Sequence, residues 1–167
     1  YTENCLNQVG KRGLLILGGQ GGYIYPDLLG EFSLNNPTDS VGVNLEPAKV
    51  AYWNYNSEPN AGNKIRLNSL RPKLYLQEDS EMSIEAQLGR YAKEQIDACL
   101  NNYSVFRSQG YKIDFVDGIE VKDVQAKVGE NTVNFLLTMK ISAEKGEVKE
   151  QMEQFGELVM HGAPAFR

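Results

Sequence analysis

The chain has 167 residues, of which 41% are hydrophobic, and a formal net charge of −5, which suits one globular domain with a core of its own. Its sequence pI near 5.0 excludes the basic footprint with which nucleic-acid-binding proteins hold phosphates. The sequence has no uninterrupted apolar run long enough to form a membrane-spanning helix within these residues.

The first predicted element is a helix over residues 2–17. Apolar residues recur along one of its faces, at Cys5, Leu6, Val9, Gly13, Ile16 and Leu17. Gly10 and Gly13 each weaken an isolated helix by about 1 kcal/mol relative to alanine, and they would let another backbone come close. We therefore expect a buried helix that depends on tertiary contacts for its stability.

Glycines follow this helix in the run over residues 18–22. The run does not fit a phosphate-binding loop, because Ile24 stands where G-x-G-x-x-G needs its third glycine and no Gly-Lys-Ser/Thr follows. It therefore predicts a helix end and a turn. Residues 23–25, closed by Pro26, are predicted as a short strand, so that residues 1–26 form an N-terminal helix and strand.

Residues 27–80 are predicted to form an ordered, loop-rich segment. They are rich in Asn, Pro, Gly and Ser, and a structureless loop of this length would be unusual in a compact domain. The segment contains an aromatic island, Tyr52-Trp53-Asn54-Tyr55, and a candidate for a short strand over residues 73–76.

The helix signal is clearest after residue 81. Apolar residues recur at three- and four-residue spacing, at Ile84, Leu88, Tyr91, Ala92, Ile96, Cys99, Leu100 and Tyr103. Ser83 is predicted as the N-cap, and Glu81 and Glu85 lie where the positive end of the helix dipole favours acidic side chains. We expect one long helix here.

Beyond this helix the apolar period changes to two, which predicts strands. Residues 111–115 alternate between apolar and polar, and Asp117-Gly118 is predicted as a tight hairpin turn. The next strand is predicted to start at Ile119 and Val121, whose parity is opposite to that of Val124, Ala126 and Val128. A β-bulge is therefore predicted at Lys122-Asp123.

The remaining residues complete the predicted sheet. Turns are predicted at residues 129–131 and 144–146, and the strand between them has inward positions at Val133, Phe135, Leu137, Met139 and Ile141. Residues 147–160 have a spacing that also suits a helix, but their place in a meander favours a fourth strand. The sequence thus predicts an α+β fold in one domain over 1–167, with a long helix packed on an antiparallel β-meander within 81–160, as in cystatin-like folds.

Catalytic chemistry has little support in the sequence. His161 is the only histidine, which excludes zinc sites built on several histidines within one chain. Cys5 and Cys99 form no C-x-x-C pair for zinc or thioredoxin chemistry. Asp and Glu are abundant, but no spacing singles out a pair. We therefore predict no catalytic residue, no metal and no cofactor.

Five aromatic residues are predicted as a binding surface: Tyr23, Tyr25, Tyr52, Trp53 and Tyr55. Tyrosine and tryptophan beside asparagine and serine are typical of adaptable recognition surfaces, which would suit a glycan or a peptide. The alternative is that Trp53, the only tryptophan, belongs to the core. Exposure of its indole would favour the binding interpretation.

The two cysteines lie in matched local sequence, each on the inward face of a predicted helix. We predict a disulfide between Cys5 and Cys99, which would close a loop of about 95 residues and stabilise the fold by about 4–5 kcal/mol on the chain-entropy model. The alternative is a pair of inert, buried thiols. Asn102-Tyr103-Ser104 is an N-x-S sequon, so Asn102 is a possible glycosylation site.

Three sequence elements together resemble a known group of proteins. They are the Cys-Leu helix that runs into Gln20-Gly21-Gly22-Tyr23-Ile24, the Ala51-Tyr52-Trp53 island, and the stretch from Ser83-Ile84-Glu85 through Cys99-Leu100 with the hairpins that follow. The set resembles uncharacterised archaeal proteins that carry one N-terminal membrane helix and an extracytoplasmic domain. The similarity covers most of residues 3–158 and implies no activity. It implies a membrane anchor upstream of Tyr1 and an oxidising exterior.

These observations support a first functional hypothesis and leave two rivals. The first is a non-catalytic binding or envelope-assembly module at the cell surface, the soluble part of a single-pass membrane protein, with a protein or a glycan as its partner. Nucleic acid is not expected as a partner, and a membrane only through the segment upstream of Tyr1. The rivals are a carboxylate-dependent hydrolase of cell-surface glycan or peptide, which needs two converging acidic side chains, and a cystatin-like protease inhibitor.

Overall fold

Helices and antiparallel strands make up this protein, so its fold class is α+β, as predicted. The computed structural model describes residues 1–33, 40–56, 67–76, 81–116 and 122–160. The chain divides into two compact units, a sheet unit of residues 1–11 and 88–167 and a loop unit of residues 12–87. This division falls within the two long helices, and the segment boundaries at residues 27 and 81 stay predictions.

Helix α1, Thr2–Gly19, extends beyond the predicted end at residue 17. Its predicted inward positions are buried except Ile16, which is half-buried, and Leu6 and Leu17 are fully enclosed. At its end Gly21 adopts a φ of 70°, which glycine tolerates and other residues rarely adopt. The N–H of Gly22 donates to the carbonyl of Leu17 at 2.8 Å, which is the 6→1 bond of a Schellman motif. The glycine run is therefore a helix terminus, as predicted.

The loop unit contains two small antiparallel sheets that the sequence did not predict. Strands β1 (Gly42–Leu45) and β2 (Ala48–Ala51) form the first, and the peptide bond between Glu46 and Pro47 in their turn is cis. Strands β3 (Asn54–Asn56) and β4 (Leu67–Ser69) form the second. The structure assigns no strand to residues 23–25, unlike the prediction. They lead into a 3-10 helix, Pro26–Leu28, whose proline has no N–H to give to a strand ladder.

Residues 73–76 do not form the predicted strand. They are hydrogen-bonded to the first turn of helix α2, Ile84–Leu100. The carbonyls of Lys73 and Leu74 accept hydrogen bonds from the N–H groups of Ile84 at 2.8 Å and Glu85 at 3.2 Å. The Glu85 carboxylate in turn accepts the N–H of Leu76 at 2.8 Å. The first turn of a helix has N–H groups without partners inside the helix, and here the neighbouring segment supplies their acceptors.

Helix α2 otherwise follows its prediction. The hydroxyl of Ser83 accepts the N–H of Ala86 at 3.2 Å, so Ser83 is the N-cap. The apolar face is buried except for the half-buried Cys99, with Leu88, Ala92 and Ile96 fully enclosed. Within the described ranges, neither α2 nor any other helix is long and apolar enough to cross a membrane.

After α2 the backbone makes a left-handed turn that the sequence did not predict. Asn101, Asn102 and Tyr103 adopt φ angles of 44°, 49° and 54°, a region that non-glycine residues rarely occupy. A short helix, α3, Ser104–Ser108, follows. The turn ends α2 at Leu100, yet the predicted inward residue Tyr103 is still buried, at 5% exposure.

The sheet unit is built on one long central strand, β7 (Thr132–Lys145). Strand β8 (Val148–Met160) pairs with one edge of β7, so the strand interpretation of this segment is confirmed. Strands β5 (Lys112–Phe115) and β6 (Lys122–Val128) follow each other along the other edge. All of these pairs are antiparallel, and the inward positions of β7 are buried as predicted.

The pairing of β5 and β6 corrects the predicted hairpin, since both strands pair with β7 and run in the same direction. Alternation in the sequence fixes which face of a strand is apolar but not which strand lies beside it. Ile113 lies opposite Ala143 and Val124 lies opposite Leu137, so both strands match the inward face of β7. The predicted turn at residues 117–118, with Ile119 and Val121, lies outside the described residues.

The irregularity in the sheet also differs from its prediction. The register of β6 with β7 is continuous from Lys122 to Val128, so the bulge predicted at residues 122–123 is wrong. The register shift lies between β7 and β8 instead, where Thr138 pairs with Gln154 but Ile141 pairs with Met152. One extra residue of β7 is accommodated there, as in a β-bulge.

Two glycines allow close contacts within the sheet unit. A Cβ atom on Gly10 of α1 would lie 2.7 Å from the Phe135 ring, and one on Gly89 of α2 would lie 2.7 Å from the carbonyl oxygen of Val124. The close approach expected at Gly10 is therefore made by a side chain and not by a backbone. At Gly89 the neighbour is the backbone of β6.

Candidate functional site

Trp53 is the most exposed of the predicted binding residues, with 46% of its surface accessible. Its position is nonetheless fixed by hydrogen bonds. The indole Nε1–H donates to the carbonyl of Gly21 at 2.8 Å. The carbonyl of Trp53 accepts the N–H of Leu70 at 3.0 Å and the hydroxyl of Ser69 at 2.9 Å. A ring held in this way loses little conformational freedom when it binds a partner.

A cation adjoins the Trp53 ring. The guanidinium carbon of Arg71 lies 5.6 Å from the ring centroid, within the range of a cation–π interaction. Ser69 and Arg71 are both exposed, so polar groups border the accessible part of the indole. We refer to Trp53, Ser69 and Arg71 as the Trp53 surface.

The four predicted tyrosines have different surroundings. Tyr23 is buried at 4% exposure and donates its hydroxyl to the carbonyl of Leu70 at 2.6 Å. It therefore supports the backbone beside Trp53 without being accessible itself. Tyr52 and Tyr55 flank the Trp53 surface in sequence and are half-buried, as is Tyr25 at the start of the 3-10 helix.

The buried Tyr23 phenol should make stability pH-dependent. Burial raises the pKa of Tyr23 above its ordinary value, so the unfolded chain releases this proton first. The contribution of Tyr23 to the free energy of unfolding is therefore complete below about pH 10, and it is lost as the pH rises through the folded-state pKa. Tyr23→Phe should lower the free energy of unfolding at pH 7 by about 1–3 kcal/mol, because Leu70 loses its donor, and the gap from wild type should narrow above about pH 10.

Urea unfolding at neutral and alkaline pH measures this gap. The exposed Tyr75 offers a matched control, since Tyr75→Phe makes the same chemical change without removing a buried phenol. A gap for Tyr23→Phe that stays constant with pH would contradict the role of burial.

The predicted disulfide is present. Cys5 and Cys99 are bonded, with their Cα atoms 5.6 Å apart, a separation typical of disulfides. Cys5 is buried and Cys99 half-buried, on α1 and α2 respectively. Asn102 is exposed and its side-chain oxygen accepts a hydrogen bond from Arg107 at 3.4 Å, and its glycosylation stays a prediction.

The sheet unit also contains a cavity of about 440 Å³, which the sequence did not predict. Its floor is aliphatic and lies on the inward face of the sheet. Ile113 of β5, Ile141 and Ala143 of β7, and Met152 of β8 form this floor, with the ring of Phe155 beside them. We refer to this space as the aromatic cavity because of its wall.

Four aromatic rings form the wall of the aromatic cavity: Tyr1, Tyr103, Phe106 and Tyr111. The centroids of neighbouring rings lie 5.2–6.4 Å apart in tilted or edge-to-face arrangements, the geometry that aromatic pairs prefer. The hydroxyl of Tyr1 donates to the carbonyls of Cys99 at 3.1 Å and Leu100 at 3.2 Å. The wall is thus attached to the end of α2 beside the disulfide.

Polar groups are few around the aromatic cavity. Thr2, Glu3 and Gln154 are its polar lining residues, and the hydroxyls of Thr2 and Tyr103 lie 3.1 Å apart in a hydrogen bond. The ammonium of Lys145 lies 4.4 Å from the centroid of the Tyr111 ring. The cavity therefore offers mainly ring faces and aliphatic groups to whatever enters it.

The sequence could not reveal this cavity because its residues come from separate elements. The rings belong to the first residue, the left-handed turn, α3 and the residue before β5, and they share no periodicity. The one signal of the cavity in the sequence was the density of aromatic residues between 103 and 111. Periodicity placed these residues at the ends of a helix and a strand, and so it did not group them.

Among the described residues, no group of three or more His, Cys, Asp or Glu side chains is placed to hold a metal ion. The buried carboxylate of Glu85 accepts a hydrogen bond from the backbone N–H of Leu76. His161 lies outside the described residues, and the hydrolase hypothesis stays a prediction.

No family model, no curated protein and no solved structure matches this chain. The resemblance to archaeal extracytoplasmic proteins therefore stays a prediction.

Proposed function

We propose that this protein is a non-catalytic binding module that acts outside the cytoplasm and contacts its partner through the Trp53 surface. The observation that carries the proposal is that Trp53 is 46% exposed while its indole Nε1–H and its backbone carbonyl are both hydrogen-bonded. This rigidity of an exposed aromatic side chain reduces the entropy lost when a partner binds.

The composition of the surface favours a protein partner. Tryptophan and arginine are enriched among the residues that dominate protein–protein affinity, and here Arg71 and Trp53 form a cation–π pair. Leu67, on β4 of the same small sheet, is 73% exposed and adds apolar area. A glycan is the other partner that the sequence suggested, and the experiment below separates the two.

The location is supported by the disulfide between Cys5 and Cys99, because such bonds persist mainly in oxidising compartments. We further propose, on the sequence resemblance, that the chain is anchored to a membrane by a helix upstream of Tyr1. The genomic sequence upstream of Tyr1 tests this part, and an open reading frame that lacks an apolar helix there would remove the anchor.

Binding of the purified protein to envelope fragments from the cells in which it naturally occurs tests the Trp53 surface. Trp53→Ala should weaken binding by about 2 kcal/mol, roughly thirtyfold, because a hot-spot side chain is removed. Tyr75→Ala is the matched control, since Tyr75 is 57% exposed in the same unit but lies outside this surface. Co-sedimentation at increasing fragment concentration gives the affinities.

The nature of the partner follows from treating the fragments before binding. Loss of binding after protease treatment indicates a protein, and loss after periodate oxidation indicates a glycan. Equal affinities for Trp53→Ala and the wild-type protein would rule out the proposed surface. Circular dichroism of each variant establishes that it is folded.

For the fold we propose the finer description of a long helix lying on an antiparallel sheet in the cystatin-like manner. The close approach of Gly89 on α2 to the backbone of Val124 on β6 supports it. Protease inhibition would follow by fold analogy alone. A panel of cysteine proteases that are unaffected at micromolar protein would exclude that function.

A further inference from the structure

The aromatic cavity has a rigid frame. Its wall residues Tyr1 and Tyr103 lie four residues from Cys5 and Cys99 respectively, and these cysteines are covalently bonded. The hydroxyl of Tyr1 donates a hydrogen bond to a carbonyl at the end of α2, and the hydroxyls of Thr2 and Tyr103 are hydrogen-bonded to each other. Its floor is the paired β-sheet. A cavity held on all of these elements is preformed, as small-molecule sites usually are.

Two unusual backbone features lie at this cavity. Tyr103 reaches the wall from a left-handed turn of three non-glycine residues, a conformation that costs free energy and is concentrated at functional sites. The register shift between β7 and β8 lies at the floor, between Thr138 and Ile141, so that Met152 and Phe155 both face the cavity. Bulges of this kind often redirect side chains beside binding sites.

The lining defines the chemistry of an occupant. Four rings and an aliphatic floor favour an apolar, planar body, which can pack edge-to-face or offset against the wall. Glu3 gives the lining a carboxylate, and Gln154 gives it an amide, so a ligand N–H or O–H has acceptors there. The volume of about 440 Å³ lies within the range of small-molecule sites.

We propose that the aromatic cavity binds a small, neutral aromatic molecule that carries one hydrogen-bond donor. This site lies within the sheet unit and takes a different class of ligand from the Trp53 surface, so it is independent of the proposed function. The ring of the ligand packs between the Tyr1–Phe106 wall and Met152, and its donor faces the rim where Glu3 and Gln154 lie.

Titration with indole tests the site on the oxidised protein. With the methionine methyl groups labelled with carbon-13, the Met152 signal should shift saturably, because Met152 lines the cavity. The Met82 signal should not move, because Met82 does not line the cavity.

Ala143→Phe should weaken indole binding on the order of tenfold or more, because a phenyl group on the floor occupies the volume of the ligand. Leu136→Phe is the matched control, since Leu136 lies on the same strand but on the other face and is exposed. If Ala143→Phe does not fold, the Met152 signal of the wild-type protein decides. Absence of saturable binding, binding without a Met152 shift, or normal binding by folded Ala143→Phe would overturn the proposal.

Discussion

Replacing Cys5 and Cys99 together by alanine should lower the free energy of unfolding by about 4–5 kcal/mol. The bond joins residues separated by 94 positions, and a crosslink over so long a loop removes much of the entropy of the unfolded chain. It also ties the start of α1 to the end of α2. Helix α1 needs this tether because Gly10 and its other glycines make it weak in isolation. Urea unfolding followed by circular dichroism measures the loss.

Reductant supplies the control for this prediction. The wild-type protein in reductant should approach the stability of the double alanine variant, and the variant itself should not respond to reductant. Intact mass should rise by the mass of two hydrogen atoms on reduction. Labelling of both thiols by an alkylating reagent in the unreduced, denatured protein would contradict the bond and would remove the main support for an extracytoplasmic location.

Gly89→Ala should destabilise the protein by about 1–3 kcal/mol, although alanine is the better helix former. Intrinsic propensity alone predicts a gain of about 1 kcal/mol for this change. The added Cβ would lie 2.7 Å from the carbonyl oxygen of Val124, so α2 and β6 must separate, and a backbone carbonyl cannot turn aside as a flexible side chain can. Thermal or urea unfolding decides the sign.

Gly18 on α1 is the matched control for this substitution. It is helical, and a Cβ atom there would meet nothing within 4 Å. Gly18→Ala should therefore leave stability unchanged or raise it by up to about 1 kcal/mol. If Gly89→Ala raised stability as Gly18→Ala does, α2 and β6 would not be in the close contact described above.

Sequence periodicity predicted the helices and strands of the sheet unit better than it predicted which strands pair with each other. The inward face of α2, its N-cap Ser83 and the alternation along β7 are local patterns, and all are confirmed. The pairing of β5 and β6 along one edge of β7 could not be predicted, because alternation is the same for a hairpin and for two collinear strands. The strands of the small sheets β1–β2 and β3–β4 are only three or four residues long, which is too short to show a period.

The candidate sites divide in the same way. The pairing of Cys5 with Cys99 was predictable because two cysteines allow one bond and both lay on inward faces. The exposure of Trp53 was an open alternative, since composition does not tell whether a lone tryptophan faces solvent. The aromatic cavity depends on the left-handed turn at residues 101–103, and asparagine tolerates that conformation without requiring it.

The bond between Cys5 and Cys99 also changes the outcome of proteolysis. Most of the chain up to α2, including the whole loop unit, lies between these two cysteines in sequence. A protease that cleaves one peptide bond anywhere between them leaves both fragments covalently joined, so Trp53 is not released from the strands of the sheet unit. In an oxidising medium that contains proteases, the nicked protein persists as one molecule, and only a reductant frees its pieces.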